Sequence, residues 1–209
     1  MYVYAIRHAQ TEANQNQLCI GWTDSPIVEE SRQWKKLALN LKDFPRSGNT
    51  SLVVYSSDIT RASITARHAA QELGVDQRAI KYTQDLRELN YGRFEGQSIA
   101  VVRRAQPQLF DSGGNFLPDV PVGGGESVSQ MLARARKFLG EIESLQCSSE
   151  SPNHVLIVSH GGVICALLSL VRGEDYNYTR ASFSVDHLEV IPLFLPPPLS
   201  FGAVNCQSS

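Results

Sequence analysis

Three short apolar runs constrain this 209-residue chain more than any other feature, because each stops abruptly at residues able to do chemistry. Tyr2-Val3-Tyr4-Ala5-Ile6 ends at Arg7-His8. Leu52-Val53-Val54-Tyr55 ends at Ser56-Ser57-Asp58, with Arg61 just beyond, and Val155-Leu156-Ile157-Val158 ends at Ser159-His160-Gly161-Gly162. Runs of four or five β-branched and aromatic residues read as buried strands. Strands alternating with helical patterns predict an α/β fold. Open α/β sheets take their ligands at the carboxyl ends of the strands, so His8, Arg61 and His160 are expected to meet at one sheet edge.

The intervening chain supplies helices and loops. Val28 to Leu41 carries apolar Trp34, Leu37, Ala38 and Leu41 at helical spacing, and Pro45 with Ser47-Gly48-Asn49 reads as its stop and turn. A helix begins near Ile59, capped by Ser57 or Asp58, and ends at Gly74. Arg61 falls in its first turn, an electrostatically poor place for a cation unless an anion lies close by. Ala79 to Tyr82 reads as a short strand, and Ile99 to Phe110 as a helix broken at Pro107. Ser127-Val128-Ser129-Gln130 has the form of a capping box. It opens a helix to about Leu145 with an apolar stripe of Val128, Met131, Leu132, Ala135, Phe138, Leu139 and Ile142. Val163 to Val171 is a further helix and Leu188 to Leu193 a last strand, followed by a Pro196-Pro197-Pro198 connector. Asn14 to Ile27 and Asp111 to Gly125 read as loops, the second as a cover over the site.

Composition narrows the class of partner. Apolar residues make up 42% and charged residues 19%, with a formal charge of −2, as expected of a globular chain without bulk attraction to nucleic acid or membrane. Cys19, Cys147, Cys165 and Cys206 are scattered, with no zinc-type spacing, which fits reduced thiols in the cytoplasm. The apolar runs are too short to span a bilayer and no secretory leader is evident. Gly123-Gly124-Gly125 lacks the Gly-Lys-Ser/Thr continuation of a nucleotide loop and reads as a turn.

The polar constellation suits phosphoryl transfer from a monoester. A phosphate dianion needs several cationic donors, which Arg7, Arg61 and His160 can supply. A neutral imidazole is a nucleophile near pH 7, and a carboxylic acid such as Glu88 can protonate the departing alkoxide. The small residues Gly161 and Gly162 open backbone amides at a helix start, a natural anion site. His68, His154 and His187 read as surface or core residues.

Taken in order, these segments resemble the histidine phosphatase superfamily in its phosphoglycerate mutase-like branch. The resemblance rests on Arg7-His8-Ala9-Gln10-Thr11 with Asn14, Gly21-Trp22-Thr23-Asp24-Ser25-Pro26, Ser57-Asp58-Ile59-Thr60-Arg61-Ala62, and Leu86-Arg87-Glu88 with Gly92 and Glu95-Gly96. Gly124-Gly125-Glu126-Ser127 and Val158-Ser159-His160-Gly161-Gly162 complete it. It implies one domain over 1–209, a three-layer α/β/α sandwich with a mostly parallel central sheet, and an insert at about 90–125 covering the site. It also implies His8 as phosphorylated nucleophile, Glu88 as proton donor, and Arg7, Arg61 and His160 as the phosphate pocket. Asn14, Thr11, Gly21, Tyr91 and Gly161 are the expected substrate contacts. Neither metal nor cofactor is implied, and the expected partner is a small-molecule phosphate ester, with no nucleic acid or membrane. Oligomeric state is open, a homodimer being one alternative.

Ala9 replaces the glycine of the family signature, which would misplace His8 if a positive φ were needed there. Ser31 and Trp34 also depart from the pattern. In the family it resembles, mutases generally carry a longer insertion between the acid and the second histidine. The 160 − 88 = 72 positions from Glu88 to His160 are similar to the compact phosphatase type, so the resemblance implies a phosphatase, with a mutase-type phosphotransferase or a noncatalytic phospholigand module as alternatives.

Overall fold

The computed structural model describes residues 1–45 and 51–193. The turn expected at Ser47-Gly48-Asn49, the Pro196-Pro197-Pro198 connector and Cys206 lie outside them. In chain order the elements are β1 (Tyr2–Arg7), α1 (Glu12–Gln15), α2 (Glu30–Leu41), β2 (Leu52–Ser57), α3 (Thr60–Leu73) and β3 (Lys81–Thr83). They continue with α4 (Ile99–Ala105), α5 (Val128–Gln146), β4 (His154–Ser159), α6 (Gly161–Arg172), α7 (Tyr176–Ser182) and β5 (Val190–Leu193). Short 3-10 turns fill the connections, including Pro107–Leu109, where the expected break after α4 occurs.

The sheet runs β3-β2-β4-β1-β5, parallel except for β5, which pairs antiparallel with β1. β4 is buried along its whole length, as a strand covered on both faces must be, and this explains its continuous apolar run. Alternation along the strands divides the core in two. Val3, Ala5, Val155 and Ile157 pack with residues of α5 and α6 on one face. Ile6, Val54, Leu156 and Val158 pack with residues of α2 and α3 on the other. The result is the three-layer α/β/α sandwich with a mostly parallel sheet.

Several boundaries differ from the sequence reading, each for a local reason. The stretch 14–27 is not wholly loop, because Thr11 and Asn14 form a reciprocal capping box around one helical turn, α1. α2 starts two residues late, after Glu29, whose φ of 44° is left-handed and breaks the helix. α6 starts two residues early, so Gly161 and Gly162 lie inside it and His160 is its cap. α3 is capped at Ile59, whose own side chain makes no cap bond; Ser57 Oγ accepts the Ile59 amide but none inside the helix, and Asp58 pairs with Arg87. Strands β3 and β5 each begin two residues later than expected. The capping box of Ser127 and Gln130, and the stop at Gly74 with φ 71°, stand where the residue types place them.

Register carries the site. Arg7 of β1 pairs with Ser159 of β4, and Ser56 of β2 pairs with Val158. The next residues along each strand, His8, Ser57 and His160, therefore emerge side by side at one sheet edge. Among the described residues no helix is long and apolar enough to cross a membrane.

Candidate active site

His8 is only 3% exposed. Its Nδ1 lies 2.7 Å from the Ala9 carbonyl, which can only accept, so Nδ1 carries the proton and Nε2 the lone pair. Arg61 Nε donates to that Nε2 at 3.3 Å. Burial, then the Arg61 and His187 charges, hold the His8 imidazole well below its usual range, leaving it neutral near pH 7. Ala9 is not among the non-glycine residues with positive φ; those are Gln17, Glu29 and Leu188. The alanine therefore replaces the signature glycine without displacing His8, and its methyl is buried in the α2–α3 core.

The His160 ring faces His8 at 5.0 Å between centroids, tilted 58°. Its Nε2 is 2.9 Å from Ser57 Oγ. Ser57 Oγ also accepts the Ile59 amide at 3.3 Å, and with one proton and a second lone pair it can serve either tautomer of the His160 ring. Burial and the Arg61 charge hold His160, too, well below the usual imidazole range. Its Nδ1 and Arg7 Nε are buried without a hydrogen-bond partner. Buried donors are seldom left unpaired because each costs about 1–3 kcal/mol. The unpaired Arg7 Nε–H, at the same sheet edge as His160 Nδ1, is what an anion would satisfy.

Arg61 behaves differently from the free phosphate-binding cation that its helix position suggests. Its terminal nitrogens donate to the carbonyls of Thr23 and Gly21, each at 2.8 Å, and Nη1 lies 3.7 Å from Asp24. Only Nε faces His8. The same loop is gripped from its amide side by Glu95, which accepts from Trp22 N and Thr23 N at 2.8 and 2.7 Å and from the Thr23 hydroxyl. Gly21 has no room for a side chain there, since a Cβ would come within 2.0 Å of the Leu89 carbonyl oxygen.

Glu88 reaches α6 from the loop after β3. Its Oε2 accepts the Gly162 amide and Oε1 the Leu89 amide, both at 3.0 Å. Arg134 anchors that loop through the carbonyls of Asp85 and Glu88 and a bidentate pair with Glu126.

A cavity of about 340 Å³ opens beside this cluster. Of the expected site residues, Arg7, Glu88, Asn14, Tyr91 and Gly161 line it. His8, Arg61 and His160 do not line it; they are 3%, 1% and 0% exposed, His8 and His160 being the chain neighbours of the lining residues Arg7 and Gly161. Thr11 is fully buried and serves as the α1 cap, and Gly21 acts through its carbonyl on Arg61.

Sequence reasoning missed two residues. His187, read as surface or core, places its ring 5.3 Å from that of His8 and its Nδ1 2.8 Å from the His8 carbonyl. Arg180 of α7 lines the cavity mouth. Neither carries a sequence signal: Arg180 sits on the short helix α7 and His187 in the irregular stretch between α7 and β5, both more than 170 residues from β1.

A model described as the histidine phosphatase superfamily (branch 1) matches residues 3–192. A Salmonella paratyphi C protein named as probable phosphoglycerate mutase GpmB is 30% identical over 174 residues, covering 83% of this chain and 75% of its own. Among solved structures, the α-ribazole phosphatase of Shigella flexneri superposes with a TM-score of 0.72 at 21% identity, over 98% of this chain and 100% of the other. A mycobacterial glucosyl-3-phosphoglycerate phosphatase in complex with VO3 gives a TM-score of 0.71 at 22% identity, over 91% and 90%.

Proposed function

The chain belongs to the histidine phosphatase superfamily (branch 1), and from that premise we propose that it hydrolyses a small phosphate monoester through a phosphohistidine on His8. The observation that carries the reading is the His8 tautomer. With Nδ1–H committed to the Ala9 carbonyl, the Nε2 lone pair is the reactive one, on a neutral ring beside Arg61. Arg7 Nε, and His160 Nδ1 in the tautomer that places the ring proton there, supply further donors whose acceptors are the phosphoryl oxygens.

In the first step His8 Nε2 forms a bond to phosphorus while the ester P–O bond breaks, and Glu88 as a carboxylic acid gives its proton to the leaving alkoxide. In the second, the Glu88 carboxylate takes a proton from water, which attacks phosphorus and releases inorganic phosphate and the free imidazole. Glu88 is suited to both steps because it lines the cavity and each oxygen is fixed by one amide, keeping a lone pair for substrate or water. Every step uses side chains of this chain. Residues 90–125 contribute Tyr91 to the cavity wall and are read as the cover that limits the alcohol portion of the substrate.

The compact spacing between Glu88 and His160 favours hydrolysis. The 30% identity to a protein named as a mutase keeps phosphoryl return to a second hydroxyl as the alternative. The deciding experiment labels the protein with a phosphate donor and looks for an acid-labile adduct that disappears in His8→Ala. Release of inorganic phosphate from 3-phosphoglycerate, sugar phosphates and α-ribazole phosphate then separates the two chemistries. An adduct that survives His8→Ala overturns the assignment of the nucleophile.

A further inference from the structure

The chain between α7 and β5 returns to the end of β1 and grips it at successive polar groups. The Val185 carbonyl accepts Arg7 Nη1 at 2.8 Å, and the Leu188 amide donates to the Arg7 carbonyl at 2.9 Å. The Leu188 carbonyl is held in turn by Asn40 Nδ2 at 2.8 Å. Leu188 is fully buried with φ 66°, a left-handed conformation that a leucine adopts only when its surroundings impose it. This bent segment delivers His187 to His8.

His187 Nδ1 lies 2.8 Å from the His8 carbonyl, which only accepts, so His187 is the donor. The other end of the same peptide is also held: the Ala9 amide donates to Thr65 Oγ1 at 3.0 Å, and that hydroxyl donates to the Arg61 carbonyl at 2.7 Å. Both polar groups of the His8–Ala9 peptide are thus fixed by side chains from distant elements. The His8 ring itself lies between two imidazoles, His160 at 5.0 Å and His187, edge-on at 63°, at 5.3 Å. His187 does not line the cavity that holds Arg7 and Glu88. It faces a separate one with Gln10, Gln33, Lys36 and Asp186.

We propose that His187 is a positioning residue for the nucleophile, its Nδ1–H fixing the His8–Ala9 peptide and its ring edge restricting the His8 imidazole so that Nε2 stays aimed at phosphorus. This rests on the phosphohistidine reading above. A turn of this peptide would shift Ala9, whose own carbonyl at the start of the next peptide holds His8 Nδ1, and so release the tautomer that leaves Nε2 unprotonated. Small errors of aim at a reacting atom cost about 100-fold in rate.

The test compares His187→Phe, which keeps a ring edge but removes the donor, with His187→Asn, which keeps a donor at similar reach. Each is measured for kcat and KM on the best phosphate ester, for thermal midpoint, and for the His8 imidazole 15N shifts at neutral pH. Expected for His187→Phe is a fall in kcat of about 10- to 100-fold with KM unchanged, and His8 shifts moving toward a mixture of tautomers. His187→Asn restores most of kcat and the single-tautomer spectrum. Wild-type kcat with unmoved His8 shifts in His187→Phe overturns the proposal, as do equal losses in both variants. If the wild type forms no phosphohistidine, the phosphatase reading fails by itself, and the 15N comparison still decides whether His187 sets the His8 tautomer.

Discussion

Gly162 and Glu88 share one space: the Gly162 amide donates to Glu88 Oε2 at 3.0 Å, and a Cβ on Gly162 would stand 2.4 Å from Oε1. The glycine inside α6 is thus required by the carboxylate that packs on it, in addition to any benefit of open amides at the helix start. Gly162→Ala is expected to swing Glu88 out of the cavity. It should lower kcat by about 100-fold, the size of effect general acid–base catalysis commonly carries, while inorganic phosphate binds as before. Steady-state kinetics with phosphate as competitive inhibitor check this, and an unchanged kcat would show that Glu88 is not the proton donor.

Arg61 is expected to tolerate no substitution. It is 1% exposed, and its fork holds the Gly21 and Thr23 carbonyls as well as His8. Lysine cannot reproduce that geometry. Arg61→Lys should destabilise the fold by about 1–3 kcal/mol for each carbonyl left unpaired in the interior, in addition to abolishing activity. Urea unfolding gives the first quantity, and a stability equal to wild type would contradict the role assigned to the Gly21–Asp24 loop.

Ala9→Gly restores the residue of the family signature, yet it should bring no gain in activity. Ala9 does not need the left-handed freedom of glycine, and its methyl fills the core. The expected outcome is a loss of about 0.4–1 kcal/mol from added freedom in the unfolded chain, together with the lost methyl packing. A variant more active than wild type would mean that the alanine does strain His8.

Acid should weaken the fold through its histidines. Burial and the Arg61 guanidinium hold His8 and His160 well below the ordinary range, and burial with the Arg7 charge brings His187 down to about 4. An unfolded histidine titrates near 6.5. Between the folded values and about 6.5 the unfolded chain therefore binds protons that the native chain does not, and stability rises with pH across that window. Above it these groups contribute no further slope. Thermal midpoints should climb between roughly pH 4 and pH 6.5, with a shallower climb in His187→Asn. A midpoint that is highest at the acid end of this range would refute the buried neutral assignment.

The sequence alone determined the elements that bear the candidate site residues. The runs ending at His8, Ser57 and His160 have the composition of buried strands. Strand polarity sends the residues just past each run to one edge, so convergence was legible before any coordinates. Capping residues fixed the start of α5 and the end of α3, because Ser127, Gln130 and Gly74 act on backbone within a few residues of themselves.

Tertiary structure decided the partners of each side chain. That Arg61 spends its terminal nitrogens on loop carbonyls, that Thr11 is a cap with no place in the cavity wall, and that Glu88 claims the Gly162 amide all depend on contacts between segments tens of residues apart. His187 is the extreme case. It lies 179 positions from His8, in a stretch with no hydrophobic period, and it reaches the His8 carbonyl because Leu188 is forced into a left-handed turn. Local propensity acts over a few neighbouring residues, whereas such contacts exist only once the sheet has closed, which is why the sequence names the candidate groups and only the fold assigns their partners.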